Sequence, residues 1–484
     1  MLLPALGTPA GADVPAPEIV PEIFDVRSPG QGSSWITISW DSTVVKHDLQ
    51  VGEIKGLAIK ARKFQTIPDI YALGYTVLDL KPDTRYEFRV RAYPPGDAGG
   101  TPVTSPSIKV RTAVEEPREF SGLLFWPQRR LSTFPTAVTQ ACIEAHNGRL
   151  YVLEAIGPRL KLSSVVPETF EIEWTRDITP VIDEPTMPCL APDMCVSEGK
   201  LWITWHVGKT GVEGEARLRQ RLMRVDLPTS LEQPVDDVVL PGAPLEIGPS
   251  SPGRGTCYGS VASHLGRPWL AWTERWSEEG ESHSLLSLAP YDARRGQMGR
   301  PITWRDGEDA CPTRVSITAF GGDMVLLYSE VDVTERSAGG ERLVFARFDG
   351  RRFFDVHTVR RLGRNINPRG VQLYDRFYFV YQSDANYPMA GGAYFDVALG
   401  RLAPGEALRI DSEIRVSALP YVTDMKYNHR PDITVLGNTL YTVCVKLDKA
   451  PAGMPGVPET VVDRGFGTFI GKITRRVGEG TPGS

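Results

Sequence analysis

From about Cys142 onward, apolar and polar positions alternate in short arms that come in pairs, each pair split by a turn centred on Gly or Asn. One such pair is NHRPDITVLGNTLYTVCVK, Asn428 to Lys446. Val, Ile, Thr, Tyr and Leu dominate both arms, and Gly437-Asn438 supplies the turn, so this stretch predicts a β-hairpin. The unit recurs at Pro192 to His206, where Pro192-Asp193 falls on Pro431-Asp432 and Leu201-Trp202 falls on Leu440-Tyr441. Four more copies begin at Cys142, Ser260, Val315 and Arg369. Leu150, Leu201, Pro268, Met324, Phe377 and Leu440 open the second arms, at intervals of 51 to 67 residues. A repeat of roughly 40–60 residues with several strands in each copy predicts a β-propeller, and six copies predict six blades. A third strand follows each hairpin, and most copies offer a fourth, such as FEIEW at Phe170 and RFFDVHTV at Arg352. The last copy runs short of chain, so GLLFW, Gly122 to Trp126, is expected to supply its outer strand and close the ring.

Upstream, Glu18 to Ala113 has its own pattern. WITISWD, from Trp35 to Asp41, alternates cleanly. In TRYEFRVRA, Tyr86, Phe88 and Val90 alternate with Arg85, Glu87, Arg89 and Arg91. Leu80, Pro82, Thr84 and Tyr86 form an L-x-P-x-T-x-Y corner, Trp40 sits in the second strand, and SIKVRTA closes the segment. About 95 residues here resemble a fibronectin type III domain. The resemblance implies a β-sandwich with Tyr86 at the corner-tyrosine position. Such a sandwich serves as a spacer or docking module and implies no chemistry. The whole reading is all-β: an extended arm at 1–17, a sandwich at 18–113, a linker at 114–119, a propeller at 120–476 and a tail at 477–484.

Composition adjusts this picture only slightly. In 484 residues the net charge is -5, too weakly set for the concentrated basic face that nucleic acid demands. Gly and Pro, at 47 and 40, are spread along the chain as an all-β fold requires. The six cysteines, Cys142, Cys189, Cys195, Cys257, Cys311 and Cys444, lie in strands without a C-x-x-C pair and are expected to be buried free thiols. Cys189–Cys195 is the one pair placed to bridge a loop. No signal peptide or membrane span is expected, and no metal or other cofactor.

Residues near the starts of the inner strands should surround one mouth of the propeller channel. They include Asp193, Glu308, Asp309, Arg314, Asn365, Asn367, Arg369, Tyr427, Asn428, His429, Arg430 and Asp432. Trp276, in a polar loop, is a candidate for stacking on a sugar, whereas Trp202, Trp205, Trp269 and Trp272 are expected to be core. Asp193 and Asp432 hold equivalent places in two blades. A pair of carboxylates within about 10 Å suits glycoside hydrolysis, while a Pro-Asp before a strand is also ordinary turn chemistry. The neighbouring His429-Arg430 should favour the charged form of Asp432. Arg314, Arg369 and Arg430 start consecutive blades and together could clamp a carboxylate. The S-x-D-x-G-x-T-W boxes of sialidases are absent.

These features lead to one expectation and an alternative. A sandwich fused to a propeller resembles, in architecture, tail or accessory proteins of bacteriophages. The expected function is then a non-catalytic structural or glycan- or receptor-binding virion protein, oligomeric within its assembly. It would meet other virion proteins or a host-surface glycan or protein, with no nucleic acid and no membrane insertion. An extracellular location is the other possibility. The alternative activity is a glycoside hydrolase or sialidase-like enzyme.

Overall fold

A computed structural model describes residues 20–31, 36–56, 58–70, 73–77, 80–94, 101–114, 116–120, 122–126, 128–134, 139–180, 188–208, 218–227, 243–304, 310–332, 341–360, 364–383, 396–402, 410–415, 429–449 and 463–475. Every regular element among them is a β-strand. The chain divides into two compact units, with the boundary between Glu115 and Glu116.

The first unit is a sandwich of the fibronectin type III kind. Ile23–Gln31, Ile36–Ser42 and Gly74–Val77 form one sheet. Gln65–Ile70, His47–Glu53 and Arg85–Ala92 form the other, which Val103–Thr104 and Ile108–Arg111 extend. Alternate residues of the two sheets meet in a core of Ile36, Ile38, Trp40, Leu49, Phe88 and Val90. Trp40 is buried against the edge of His47 at 5.4 Å; Trp35 lies outside the described residues. The corner forms as the motif predicted. The Lys81 backbone N–H donates to the Tyr86 hydroxyl at 2.8 Å, and the Thr84 hydroxyl donates to the Pro82 carbonyl. Tyr86→Phe leaves that N–H without its acceptor in a half-buried corner, so it should cost about 1–2 kcal/mol. Urea unfolding of the chain carrying this change would check it. No change in the midpoint of the sandwich transition would show the bond to be idle.

Among the described residues, the second unit shows six antiparallel sheets. Their inner strands are Thr139–His146, Cys189–Ser197, Gly255–His264, Ala310–Phe320, Asn365–Leu373 and His429–Leu436, which we number as blades 1 to 6. Each inner strand touches the next, and that of blade 6 touches that of blade 1, so the strands form a closed circuit. The strands opened by Leu150 and Leu201 belong to separate sheets, as the repeat required. The hairpin turns take the left-handed backbone expected of them, for example Asn147-Gly148 at φ 46° and 74°.

The second strand of each blade is buried on both faces, which is why it reads as a nearly continuous apolar run. In Arg149–Ile156, Leu150 and Val152 pack toward blade 6 with Tyr441, Val443 and Ile470. Tyr151, Leu153 and Ala155 pack toward blade 2 with Ile203 and Trp205. Trp202, Trp205, Trp269 and Trp272 are all buried, so these four are core. All six cysteines are buried and none is disulfide-bonded, so the Cys189–Cys195 bridge does not form.

Blade 6 joins distant parts of the chain. Its strands His429–Leu436, Thr439–Lys449 and Asp463–Arg475 are followed by Leu123–Phe125, which pairs antiparallel with Asp463–Arg475 through Leu123↔Arg475 and Phe125↔Ile473. Arg129–Phe134 pairs with the other half of that strand. The Trp126 indole N–H donates to the Thr474 hydroxyl at 3.1 Å. The early stretch from Gly122 to Trp126 therefore closes the ring.

Candidate functional site

Five of the six inner strands carry a β-bulge at one level. The register slips between Leu190 and Asp193, Cys257 and Ser260, Thr313 and Ser316, Ile366 and Arg369, and His429 and Asp432. In each slip one non-glycine residue adopts left-handed backbone: Ala191, Tyr258, Arg314, Asn367 and Arg430, with φ between 48° and 52°. A bulge turns the strand and re-aims its side chains, and each such residue costs roughly 1 kcal/mol or more. Three of the bulges hold a proline just after the left-handed residue, Pro192, Pro368 and Pro431, where the ladder has no need of its N–H. These prolines mislead a reading of the sequence. They suggest turns ahead of the strands, whereas Asp193, Arg314, Asn365, Asn367, Arg369, His429, Arg430 and Asp432 all lie inside the inner strands.

Beyond the bulge, one residue per blade occupies an equivalent level: Cys142, Asp193, Ser260, Ser316, Arg369 and Asp432. Three of them tie one blade to the next. Asp193 Oδ2 accepts the Val261 N–H at 3.0 Å, Ser260 Oγ accepts the Ile317 N–H at 3.0 Å, and Asp432 Oδ2 accepts the Ile143 N–H at 2.7 Å. Arg369 Nε lies 3.6 Å from Asp193 Oδ1 and 3.9 Å from Asp432 Oδ1. Its side chain therefore joins blade 5 to blades 2 and 6. Both carboxylates cap backbone of an adjacent blade, and Asp432 Oδ1 also accepts the N–H of its neighbour Ile433 at 2.9 Å. The local capping expected of a Pro-Asp is therefore present at Asp432, inside a bulged strand rather than at a turn ahead of it.

The two carboxylates fall within the span that glycoside hydrolysis needs. Both are 5% exposed. Asp432 is pushed up to about 7, first by burial and then by the charge of Asp193; Arg369 and the N–H groups of Ile143 and Ile433 pull it back. Burial thus outweighs the cationic sequence neighbours, contrary to the expectation that Asp432 would favour its charged form. A cavity of about 270 Å³ opens here, lined in part by Glu144, Asp193, Thr318, Arg369, Gln372 and Asp432. Burial, then the charges of Asp432 and Asp193, hold Glu144 well above the ordinary carboxylate range.

The bulge level forms a second cluster. His206 Nδ1 accepts the Tyr258 N–H at 3.3 Å, and the two rings meet edge to face at 4.9 Å. Burial, reinforced by Arg430 and Arg275, lowers His206 to about 3, so its imidazole is neutral with the proton on Nε2. The Arg314 guanidinium sits 5.5 Å from the Tyr258 ring and donates to Glu341 Oε2 at 2.7 Å. Arg364 Nη2 lies 3.6 Å from the other oxygen of Glu341. Arg430 Nη1 is buried without a hydrogen-bond partner among the described residues. Burial lowers Arg430 to about 10; Tyr258 opposes that shift, while Arg314 and Arg369 add to it.

Arg314, Arg369 and Arg430 are thus electrostatic neighbours, as their places in consecutive blades suggested. Asn367 bonds Gln382, and Asn365 donates to the Glu341 carbonyl at 3.2 Å while its Oδ1 accepts the Ser383 hydroxyl, so both are held by the fold. Trp276 does not present an open ring. It stacks on His283 at 5.5 Å, and the Arg254 guanidinium lies 4.0 Å from its centre. Glu308, Asp309, Tyr427 and Asn428, and the side chain of His429, lie outside the described residues. Glu144, His206 and Tyr258 were not anticipated. Aligning the hairpins on their turns would have found Tyr258, which stands level with Arg314, Asn367 and Arg430.

No family model matches the chain, and no curated protein matches it. Among solved structures, it resembles an exo-1,5-alpha-L-arabinanase from a bovine ruminal metagenomic library, at 12% identity and a TM-score of 0.41 over 59% of this chain and 99% of that one. It also resembles the Trypanosoma rangeli sialidase, at 8% identity and a TM-score of 0.47 over 75% of this chain and 58% of that one. The FN5 domain of Drosophila Lar matches at 25% identity and a TM-score of 0.16 over 19% of this chain and 94% of that one. The fold stands on the strand pairing, not on these likenesses. This chain is a fibronectin-type-III-like sandwich and a β-propeller.

Proposed function

We propose that the propeller is a glycan-binding protein whose ligand seat is the bulge mouth of its channel. The observation that carries this reading is the convergence of His206, Tyr258, Arg314 and Arg430 from four blades. Backbone strain at three of these residues supports it, because strain repeated at one level marks positions shaped for a task. An aromatic ring among neutral and cationic hydrogen-bond donors suits sugar hydroxyls. Hydrolysis is the second reading, favoured by Asp432, whose pKa is held near 7 beside Asp193. Against it, both carboxylates are committed to the same cross-blade bonds and share Arg369, so neither is free to attack or to donate a proton.

A panel of aryl glycosides, run beside a glycan array, separates the two. Binding without turnover is the expected result. Robust turnover that disappears in both Asp193→Asn and Asp432→Asn, with each variant shown to be folded by thermal unfolding, would establish the hydrolase instead. As part of the same proposal, the surface of a virus particle or another extracellular assembly is the setting, a placement that rests on the architecture alone. Mass spectrometry of purified particles from the source would have to find the chain for that placement to stand.

A further inference from the structure

The charges at the bulge mouth do not balance. Glu341 answers Arg314 and Arg364, and Asp193 and Asp432 answer Arg369. Arg430 has no such answer among the described residues. Its Nη1 is buried without an acceptor, and its charged neighbours Arg314 and Arg369 carry the same sign. His206 is neutral here and offers it no counter-charge. A buried cation without a partner is expensive, and replacing such a group by an apolar side chain is often neutral or stabilising. Its retention points to an anion that arrives from outside. Tyr258, whose ring meets His206 at 4.9 Å and Arg314 at 5.5 Å, is an electrostatic neighbour of Arg430.

We infer that Arg430 and Tyr258 form a subsite for one oxyanion, the carboxylate or sulfate group of an acidic sugar. This deepens the proposed function and rests on the mouth being a glycan seat. One unanswered guanidinium calls for one negative charge. A carboxylate or sulfate would accept from the free Nη1, a charge-assisted bond that water and neutral hydroxyls do not match.

Calorimetric titration tests this with glucuronic acid, N-acetylneuraminic acid, galactose 6-sulfate, galactose and glucose as sugars, and acetate and sulfate as bare ions. Acidic sugars should bind more tightly than neutral ones. Arg430→Met should weaken acidic sugars by about tenfold or more, and neutral sugars, which lose only a hydroxyl contact, by a clearly smaller factor. The melting temperature of the unliganded Arg430→Met protein should stay level or rise. Arg430→Lys keeps a cation for the fold and should bind acidic sugars at an intermediate strength. Equal binding of acidic and neutral sugars, or full acidic-sugar affinity in Arg430→Met, would overturn the subsite. Failure of every sugar, with bare anions still binding through Arg430, would remove the glycan reading and leave the anion subsite standing.

Discussion

Replacing Arg369 with methionine is expected to destabilise the propeller by about 3–5 kcal/mol at pH 9. The change strips the cation that two carboxylates, each 5% exposed, share. The loss should be smaller in acid. Asp432 already has a folded pKa of about 7 against an ordinary value of 3.8. A raised carboxyl stabilises the fold fully below its unfolded pKa and loses that contribution as pH rises through the folded value. Without Arg369 the folded value of Asp432 moves higher still, so the deficit is smallest near pH 4 and grows once pH passes the wild-type value of about 7, as at pH 9. Adding Asp432→Asn to the methionine variant removes one buried charge and should recover part of the loss. Urea unfolding at the two pH values measures all of this. A deficit that is equal at both, or largest at pH 4, would mean that Arg369 acts by packing alone.

His206→Gln is expected to change how stability depends on pH rather than only its level. The folded pKa is about 3 and the ordinary value 6.5. Above 6.5 the residue is neutral in both states and contributes no slope. As pH falls from 6.5 toward 3, the unfolded chain takes up a proton that the folded site refuses, so stability is lost. The full loss is on the order of 4–5 kcal/mol. Asp432 and Glu144 tilt the other way over part of that window, so the wild-type curve alone does not isolate the histidine. The difference between wild type and His206→Gln does, because glutamine keeps an acceptor for the Tyr258 N–H without titrating. That difference should shift steadily against the wild type between pH 6.5 and 4. A flat difference would show that His206 is not held neutral by the fold.

The fold was legible because period-two patterning and turn chemistry repeat six times, and because a blade buried on both faces leaves an unbroken apolar second strand, as in Lys200–Val207. Ring closure by Leu123–Phe125 was legible for a simpler reason: the last copy lacked an outer strand. The site was harder to read. Pro192 and Pro431 suggested turns, and only the folded register shows them to be bulges inside strands. Glu144 was hidden because its neighbours in space, Asp432 and Asp193, come from other blades. The direction of the Asp432 shift was misjudged because adjacency to Arg430 in sequence says nothing about burial, which dominates.

The way blade 6 is assembled makes the propeller a hoop with a clasp rather than a row of tiles. In an open row, losing an end repeat bares one neighbour. Here Leu123–Phe125 and Asp463–Arg475 meet in one sheet, so the segments that flank the other five blades are fastened to each other. A nick in a loop of blade 3 leaves two pieces that this sheet still holds together. Trimming either flank instead undoes the clasp and uncovers both surfaces that blade 6 seals, those of blade 5 and blade 1. Damage to the propeller is therefore graded by which hydrogen-bonded sheet is cut, and not by how many residues are removed.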